Sequence, residues 1–267
     1  MKTRVISAIV MFLILGAAIY FGPLTRLILV TFIGCAGIYE MAHACRKMGR
    51  KCPNDVVLVL YPLLTAVLIY YSAPEWAFTA LFTGLTMFIL CYCVINHDKA
   101  AEGAMNGLFA LTYPGILFSC VMRIFSSEDW LYVCAIAAFA TWLCDAFALF
   151  GGMAFGKHKL CPSVSPNKTW EGSIIGAMFS LLGGAAVHWI WSGAPSLPIC
   201  MITALIASTM GQFGDLSASL IKRGSGIKDY SNIIPGHGGI MDRMDSLLFS
   251  IPTTWLLLKL FTILGII

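Results

Sequence analysis

Along most of this chain the apolar residues run on without alternation. Continuous apolar stretches occupy roughly residues 5–22, 24–43, 56–73, 76–95, 104–122, 131–153, 172–191, 197–221 and 246–266. A helix needs ~17–25 such residues to cross a bilayer. Short polar or Gly-Pro breaks separate the stretches, and Gly22-Pro23 alone divides the first two. Strands of a membrane barrel would alternate apolar and polar positions, whereas helices satisfy their own backbone hydrogen bonds in lipid. The pattern predicts an all-α polytopic membrane protein with about nine transmembrane helices.

Charge adds orientation. On one side of nine spans lie Lys2, Arg4, Arg46, Lys47, Arg50, Lys51, Lys99, Lys157, Lys159, Lys168, Lys222, Arg223, Lys228 and Arg243; the other side has only Arg26, Arg123 and Lys259. The positive-inside rule then predicts a cytoplasmic N-terminus and an outside C-terminus. The first run follows Lys2 and Arg4, but Gly16-Ala17-Ala18 is a poor cleavage signal and further spans follow at once, so it reads as an uncleaved helix. A composition of 59% hydrophobic and 11% charged residues, with mean hydropathy +0.85, excludes a soluble domain. The net charge of +4 is explained by topology and anionic lipid heads, and is no argument for nucleic acid. The ten cysteines are scattered with no zinc or C-x-x-C spacing, and read as small core residues. His43, His97 and His188 lack acidic or Cys partners at ligand spacing and read as loop or interfacial residues.

Polar groups are unevenly spread. Residues 1–130 contain almost nothing polar inside the runs, which predicts a scaffold with lipid or dimer contacts; residues 131–267 contain most of the unusual groups and are expected to be the catalytic region of one membrane domain. Glu40, near the end of the second run, reads as a capping or snorkelling residue or as a weaker candidate than Asp145.

The stretch GQFGDLSASLIKRGSGIKDYSNIIPGHGGIMDRMDS, residues 211–246, carries the densest chemistry. Asp215, Ser219 and Lys222 recur at helical spacing, so one face bears a carboxylate, a hydroxyl and an ammonium. A carboxylate at that depth is costly unless partnered and is a functional candidate by default. Asp242 and Asp245 sit three apart at the predicted start of the last span, where their carboxylates would share a face and could also cap the helix. Capping does not explain His237, Gly238, Gly239 and Arg243 beside them. Glycines running into a helix start suggest a phosphate cradle. The all-oxygen trio Asp215, Asp242 and Asp245 suits Mg²⁺ bridged to phosphates, with Lys222, Arg223, Lys228 and Arg243 to neutralise the remaining charge.

A second block is DAFALFGGMAFGKHKLCPSVSPNKTWEG, residues 145–172. Asp145 lies inside a span and needs a partner. Ser165 and Pro166 read as N-cap and first helical residue, and Trp170 as an interfacial anchor. Asn167, Lys168 and Thr169 remain free to donate to an anion, and Glu171 is a further candidate. NKT lacks the glycines of a P-loop, and SPNK lacks the companion motifs of penicillin-binding enzymes.

Residues 219–245 resemble the signature of the phosphatidate cytidylyltransferases, also called CDP-diacylglycerol synthases. The likeness lies in S-x-x-K-R (Ser219, Lys222, Arg223), K-D (Lys228-Asp229), P-x-H-G-G (Pro235, His237, Gly238, Gly239) and D-R-x-D (Asp242, Arg243, Asp245). FGKHKLCPSVSPNKTWEG resembles the family's second segment, and Asp215 its G-D pattern; before residue 140 the likeness is compositional. The resemblance implies a transferase at the cytoplasmic face of a bacterial-type inner membrane, converting CTP and phosphatidate to CDP-diacylglycerol and pyrophosphate for phospholipid synthesis. It implies Mg²⁺ with Asp215 and Asp242 as metal ligands and Asp245 beside them, a second, monovalent cation such as K⁺, and a homodimer. Lys222 and Arg223 would serve the catalytic centre; Ser165, Asn167, Lys168, Thr169, Ser219, Lys228, His237, Gly238, Gly239 and Arg243 would serve the substrates. A CTP-dependent lipid kinase is the alternative enzyme. A cation-coupled transporter using Asp145 and Asp215 is the alternative of another class, although the internal repeats usual in transporters are absent.

Overall fold

The structure, a computed structural model, describes residues 2–96 and 100–267, without the Lys2 and Ala100 side chains. His97, Lys99 and the Lys2 side chain, which entered the expectations above, lie outside the described residues. Among the described residues seven helices are long and apolar enough to cross a membrane, and the chain is an integral membrane protein. Each of the nine apolar runs contains a helix. Two of these are short, at 16 and 17 residues (Asp55–Tyr70 and Leu247–Ile263); the first rises only about 24 Å against a hydrocarbon core of about 30 Å.

The helices gather into two compact units, Met1–Ser126 with Ile221–Arg243, and Ser127–Leu220 with Met244–Ile267. The first holds α1 (Lys2–Tyr20), α2 (Pro23–Lys47), α3 (Asp55–Tyr70), α4 (Glu75–Ile95), α5 (Ala100–Ala110) and α6 (Leu117–Ser126). Gly22, at φ 102°, breaks the chain between α1 and α2, and Pro23 starts α2, where its missing N–H costs nothing. Pro114 would clash in a regular turn, and a π-turn over Leu111–Ile116 joins α5 to α6 around it. Ile38, Met41, Ala42 and Ala44 of α2 are fully buried, with Phe118 and Met122 of α6. Gly37 makes room for the Phe118 ring, which a Cβ there would strike. Arg46 closes α2 on α3 through a two-pronged pair with Asp55 at 3.0 and 2.5 Å, and Asn54 caps α3 by accepting from the Val56 N–H at 3.2 Å.

The second unit contains α7 (Trp130–Phe155), a hairpin of β1 (Lys159–Cys161) and β2 (Ser165–Thr169), α8 (Trp170–Ile190), α9 (Leu197–Gly224) as far as Leu220, and α11 (Leu247–Ile263); the one-turn α10 (Met241–Met244) precedes α11. The hairpin qualifies the all-α expectation. It also corrects the expected cap: Ser165 and Pro166 do not start α8 but lie in β2, which pairs antiparallel with β1. Thr169 is the N-cap, accepting from the Gly172 N–H at 3.2 Å. Pro166 sits where the strand needs no N–H from it, so its fixed φ suits an extended edge as well as a helix start.

Gly172, Gly176, Ser180 and Gly184 recur every four residues along α8, a small-residue stripe that lets helix backbones touch. A Cβ at Gly172 would lie 2.5 Å from the Ala148 carbonyl oxygen, and one at Gly176 2.5 Å from that of Cys144, both on α7. Gly184 faces the Cys200 carbonyl of α9 in the same way. Gly176→Val should therefore destabilise the protein by about 1–3 kcal/mol, seen as earlier thermal unfolding in detergent. Gly193→Ala, at a position with nothing within 4 Å, should leave the transition unchanged.

Candidate functional site

In the first unit a long loop after α9 is tied down by two carboxylates. Its sharpest bend is Ile234-Pro235-Gly236-His237, where the His237 N–H donates to the Ile234 carbonyl at 2.9 Å and Gly236 takes φ 78°. Pro followed by a residue at positive φ is the requirement of a type II turn. Ser7 of α1 reaches this bend, donating to the Pro235 carbonyl at 2.7 Å and lying 3.3 Å from His237 Nδ1. Beyond it, Gly238 (φ 87°) and Gly239 are buried and lead into α10.

Asp242 is nearly inaccessible. Its Oδ2 accepts from the N–H groups of Tyr230 at 2.8 Å and Gly239 at 2.9 Å, and its Oδ1 from the Lys222 ammonium at 2.8 Å. Their side chains are only 2% and 14% exposed, so neither charge is left to solvent to stabilise. Glu40, fully buried on α2, holds the next residues: Ile240 N–H at 2.9 Å, Met241 N–H at 2.8 Å and the Ser231 hydroxyl at 2.5 Å. Three successive N–H groups at the start of α10 thus go to protein carboxylates. The phosphate cradle expected of Gly238 and Gly239 is not available, because the donors it would use are taken; phosphate contacts here must come from side chains. Arg223, Lys228 and Arg243 are exposed.

In the second unit Lys168 of β2 pairs with Asp215 of α9 at 2.5 Å, both side chains about a quarter exposed. Ser219 donates weakly to the same carboxylate at 3.4 Å. Asp145 of α7 is close enough to feel the charges of both Lys168 and Asp215. Asp245 packs its carbonyl against Gly214, next to Asp215, and its Oδ1 accepts from the Ser246 N–H at 2.8 Å. The shared helical face predicted for Asp242 and Asp245 is corrected: α10 ends at Met244 and α11 starts at Leu247, leaving Asp245 in the turn between. Glu171 organises the hairpin, accepting from the Lys157 and His158 N–H groups at 3.1 and 3.2 Å and bonding His158 Nδ1 at 2.6 Å. Thr169 is committed to capping, whereas Ser165 is half-buried and Asn167 exposed.

Among the described residues no three His, Cys, Asp or Glu side chains converge as a metal-holding group. Asp215 and Asp242 are each matched instead by a lysine. The donor chemistry still fits a hard divalent ion, because Mg²⁺ takes one or two carboxylates and fills its remaining positions with phosphates and water.

Glu40 is the residue that sequence reasoning undervalued. The rule that singled out Asp145, a carboxylate too deep to stay unpartnered, applied equally to Glu40. Its partners lie some 200 positions away in the chain, where no spacing rule reaches. Glu40→Gln, which puts an amide in place of one oxygen facing Met241 or Ile240, should cost about 1.5–3 kcal/mol and expose residues 225–240 to limited proteolysis. Glu40→Asp should be partly protected.

The model of the cytidylyltransferase family matches residues 2–261. A phosphatidate cytidylyltransferase of Staphylococcus haemolyticus is 30% identical over 269 residues, covering 97% of this chain and 99% of that protein. Those of Staphylococcus aureus (strain COL), 32% identical over 261 residues, and Bacillus subtilis, 29% over 274, cover 97% and 98% of this chain and 99% of their own. The likeness therefore extends to the helices before residue 140, where composition alone had spoken. With a family pattern running through nearly every described element, the chain belongs to the cytidylyltransferase family and is a nucleotidyltransferase.

Proposed function

We propose that this chain transfers the CMP moiety of CTP to phosphatidate, giving CDP-diacylglycerol and pyrophosphate. The observation that carries the proposal is the end-to-end likeness to proteins named phosphatidate cytidylyltransferase, 97% of this chain against 99% of the S. haemolyticus protein. The lysine–carboxylate pairs support it from the chemistry.

A phosphate monoester with a second pKa of about 6 is largely dianionic at neutral pH, so the lipid oxygen needs no general base to attack the α-phosphorus. The new P–O bond forms as the bond to the β-phosphate oxygen breaks, and pyrophosphate leaves. The demand on the protein is to align two polyanions and neutralise their charge. Lys222, Arg223, Lys228 and Arg243 would bind the triphosphate or the lipid phosphate, and Lys168, Asn167, Ser165 and Ser219 would donate to phosphate oxygens. Glu40 and the backbone bonds to Asp242 would keep the Gly238-Gly239 segment in one conformation. Mg²⁺, when bound by Asp215, Asp242 and Asp245, would polarise phosphoryl oxygens and offset charge; a monovalent cation and a homodimer complete the proposal by resemblance.

The proposal includes nine spans, a cytoplasmic N-terminus and substrate groups facing the cytoplasm of a bacterial-type inner membrane, as the distribution of Lys and Arg favours. That position is also what the substrates require, since CTP is water-soluble and the acyl chains stay in lipid.

Purified protein in detergent should release pyrophosphate only when CTP, Mg²⁺ and phosphatidate are all present. Asp215→Asn, a partly exposed position with little at stake in folding, should lower kcat at least about 100-fold with an unchanged thermal transition; Asp242→Asn should do the same in whatever fraction stays folded. CDP release in place of pyrophosphate would replace the proposal with a lipid kinase. Ion flux in liposomes without CTP, and no pyrophosphate, would replace it with a transporter.

A further inference from the structure

A cavity of about 520 Å³ lies in the first unit between one face of α2 and the loop at Asp229–Ile233. Its size falls in the range of small-molecule pockets, about 300–1,000 Å³. Tyr39, His43 and Lys47 line it from α2 at i, i+4 and i+8, so a single helical face presents a phenol ring, an imidazole and an ammonium in sequence. The two rings are nearly parallel, 12° apart with centroids 6.3 Å from each other, and present aromatic faces of one orientation to the cavity. The opposite wall carries Asp229, Ser231 and Asn232. That wall is held in place: Glu40 grips the Ser231 hydroxyl at 2.5 Å, and Asp242 grips the Tyr230 N–H at 2.8 Å.

We propose that this cavity binds the cytosine base of CTP, with the base stacked on Tyr39 and His43 and its edge read by Asp229 and Asn232. The inference rests on the proposed function and adds the residues that select the nucleotide. Cytosine offers an exocyclic N4 amine as donor and N3 and O2 as acceptors. A carboxylate accepts from N4, and the Asn232 amide donates to N3 or O2. Uracil places O4 where N4 would be, so the same carboxylate faces an acceptor and repels it. Lys47, one turn beyond His43 on the same helical face, suits the phosphate chain of a nucleotide. A lipid phosphate head has no planar group to use the rings, which favours the nucleotide as occupant. The cavity adjoins the Asp242–Lys222 pair through Tyr230, whose ring centre lies 5.7 Å from the Lys222 ammonium.

Tyr39, Asp229 and Asn232 are all exposed, so their variants should fold. The test is displacement of radiolabelled CTP by unlabelled CTP or UTP on the full chain in detergent, with phosphatidate KM measured in parallel. Tyr39→Ala should weaken CTP about 5- to 100-fold and Tyr39→Phe by no more than about twofold, both with phosphatidate KM unchanged. Asp229→Asn, whose amide can donate to O4, should shrink the CTP-over-UTP preference at least about fivefold. Wild-type preference for CTP that survives in both Tyr39→Ala and Asp229→Asn would overturn the pocket assignment alone. Equal loss of CTP and UTP in Asp229→Asn would also overturn it. A wild-type chain that does not prefer CTP to UTP would sink the proposed function and this inference together.

Discussion

Irregular backbone shut away from water must find acceptors for its N–H groups, and in this protein buried carboxylates supply them. Asp242 takes the N–H groups of Tyr230 and Gly239, and Glu40 those of Ile240 and Met241. Without them four donors would be shut away from water beside helices that are almost wholly apolar, each at a cost of about 1–3 kcal/mol. The acids are tolerable only because the donors are there, since a bare carboxylate would be far more costly to bury. Each side of the arrangement makes the other affordable, and together they tie the loop to α2 and α10.

Close helix packing plays the comparable part in the second unit. The glycine stripe of α8 brings its backbone against that of α7, and Thr169 and Glu171 fasten the first turn of α8 to the preceding hairpin. Lys168 ends up on a short strand whose far end is capped into a rigid helix, so its ammonium is positioned by elements with little freedom. A flexible lysine held by neighbouring rigid backbone loses less entropy when it binds an anion than one on an open loop.

The helices were legible because their signal is long and repeated: each apolar run contains helix, seven of them long and apolar enough to cross a membrane among the described residues, and Gly22-Pro23 does separate α1 from α2. Their exact lengths were less so, since α3 stops at Tyr70 although apolar residues continue. Ser165-Pro166 misled because serine before proline suits a helix start and an extended strand alike; only pairing with β1, a tertiary fact, decides between them. The dense polar block at 211–246 was visible by composition, yet who bonds whom within it was not. Lys222 could have paired with Asp215 on its own helix by spacing, and Asp215 is instead partnered by Lys168 and Lys222 by Asp242. Glu40 stood in plain view as a charged residue in an apolar run, and its significance depended on contacts that no local rule contains.

The exchange of partners also bears on how such a site would work. Lys222–Asp242 and Lys168–Asp215 each carry no net charge as pairs, which limits the cost of burying their charges. A phosphate that draws a lysine away leaves behind a carboxylate in need of another cation. A divalent cation arriving with a triphosphate would supply that cation, while the lysine would take part of the phosphate charge. On that argument a preassembled trio of acids is unnecessary and would be costly, because three carboxylates without a cation repel one another. Separate acid–lysine pairs are the resting arrangement to be expected of a protein that must wait at a membrane for two polyanions.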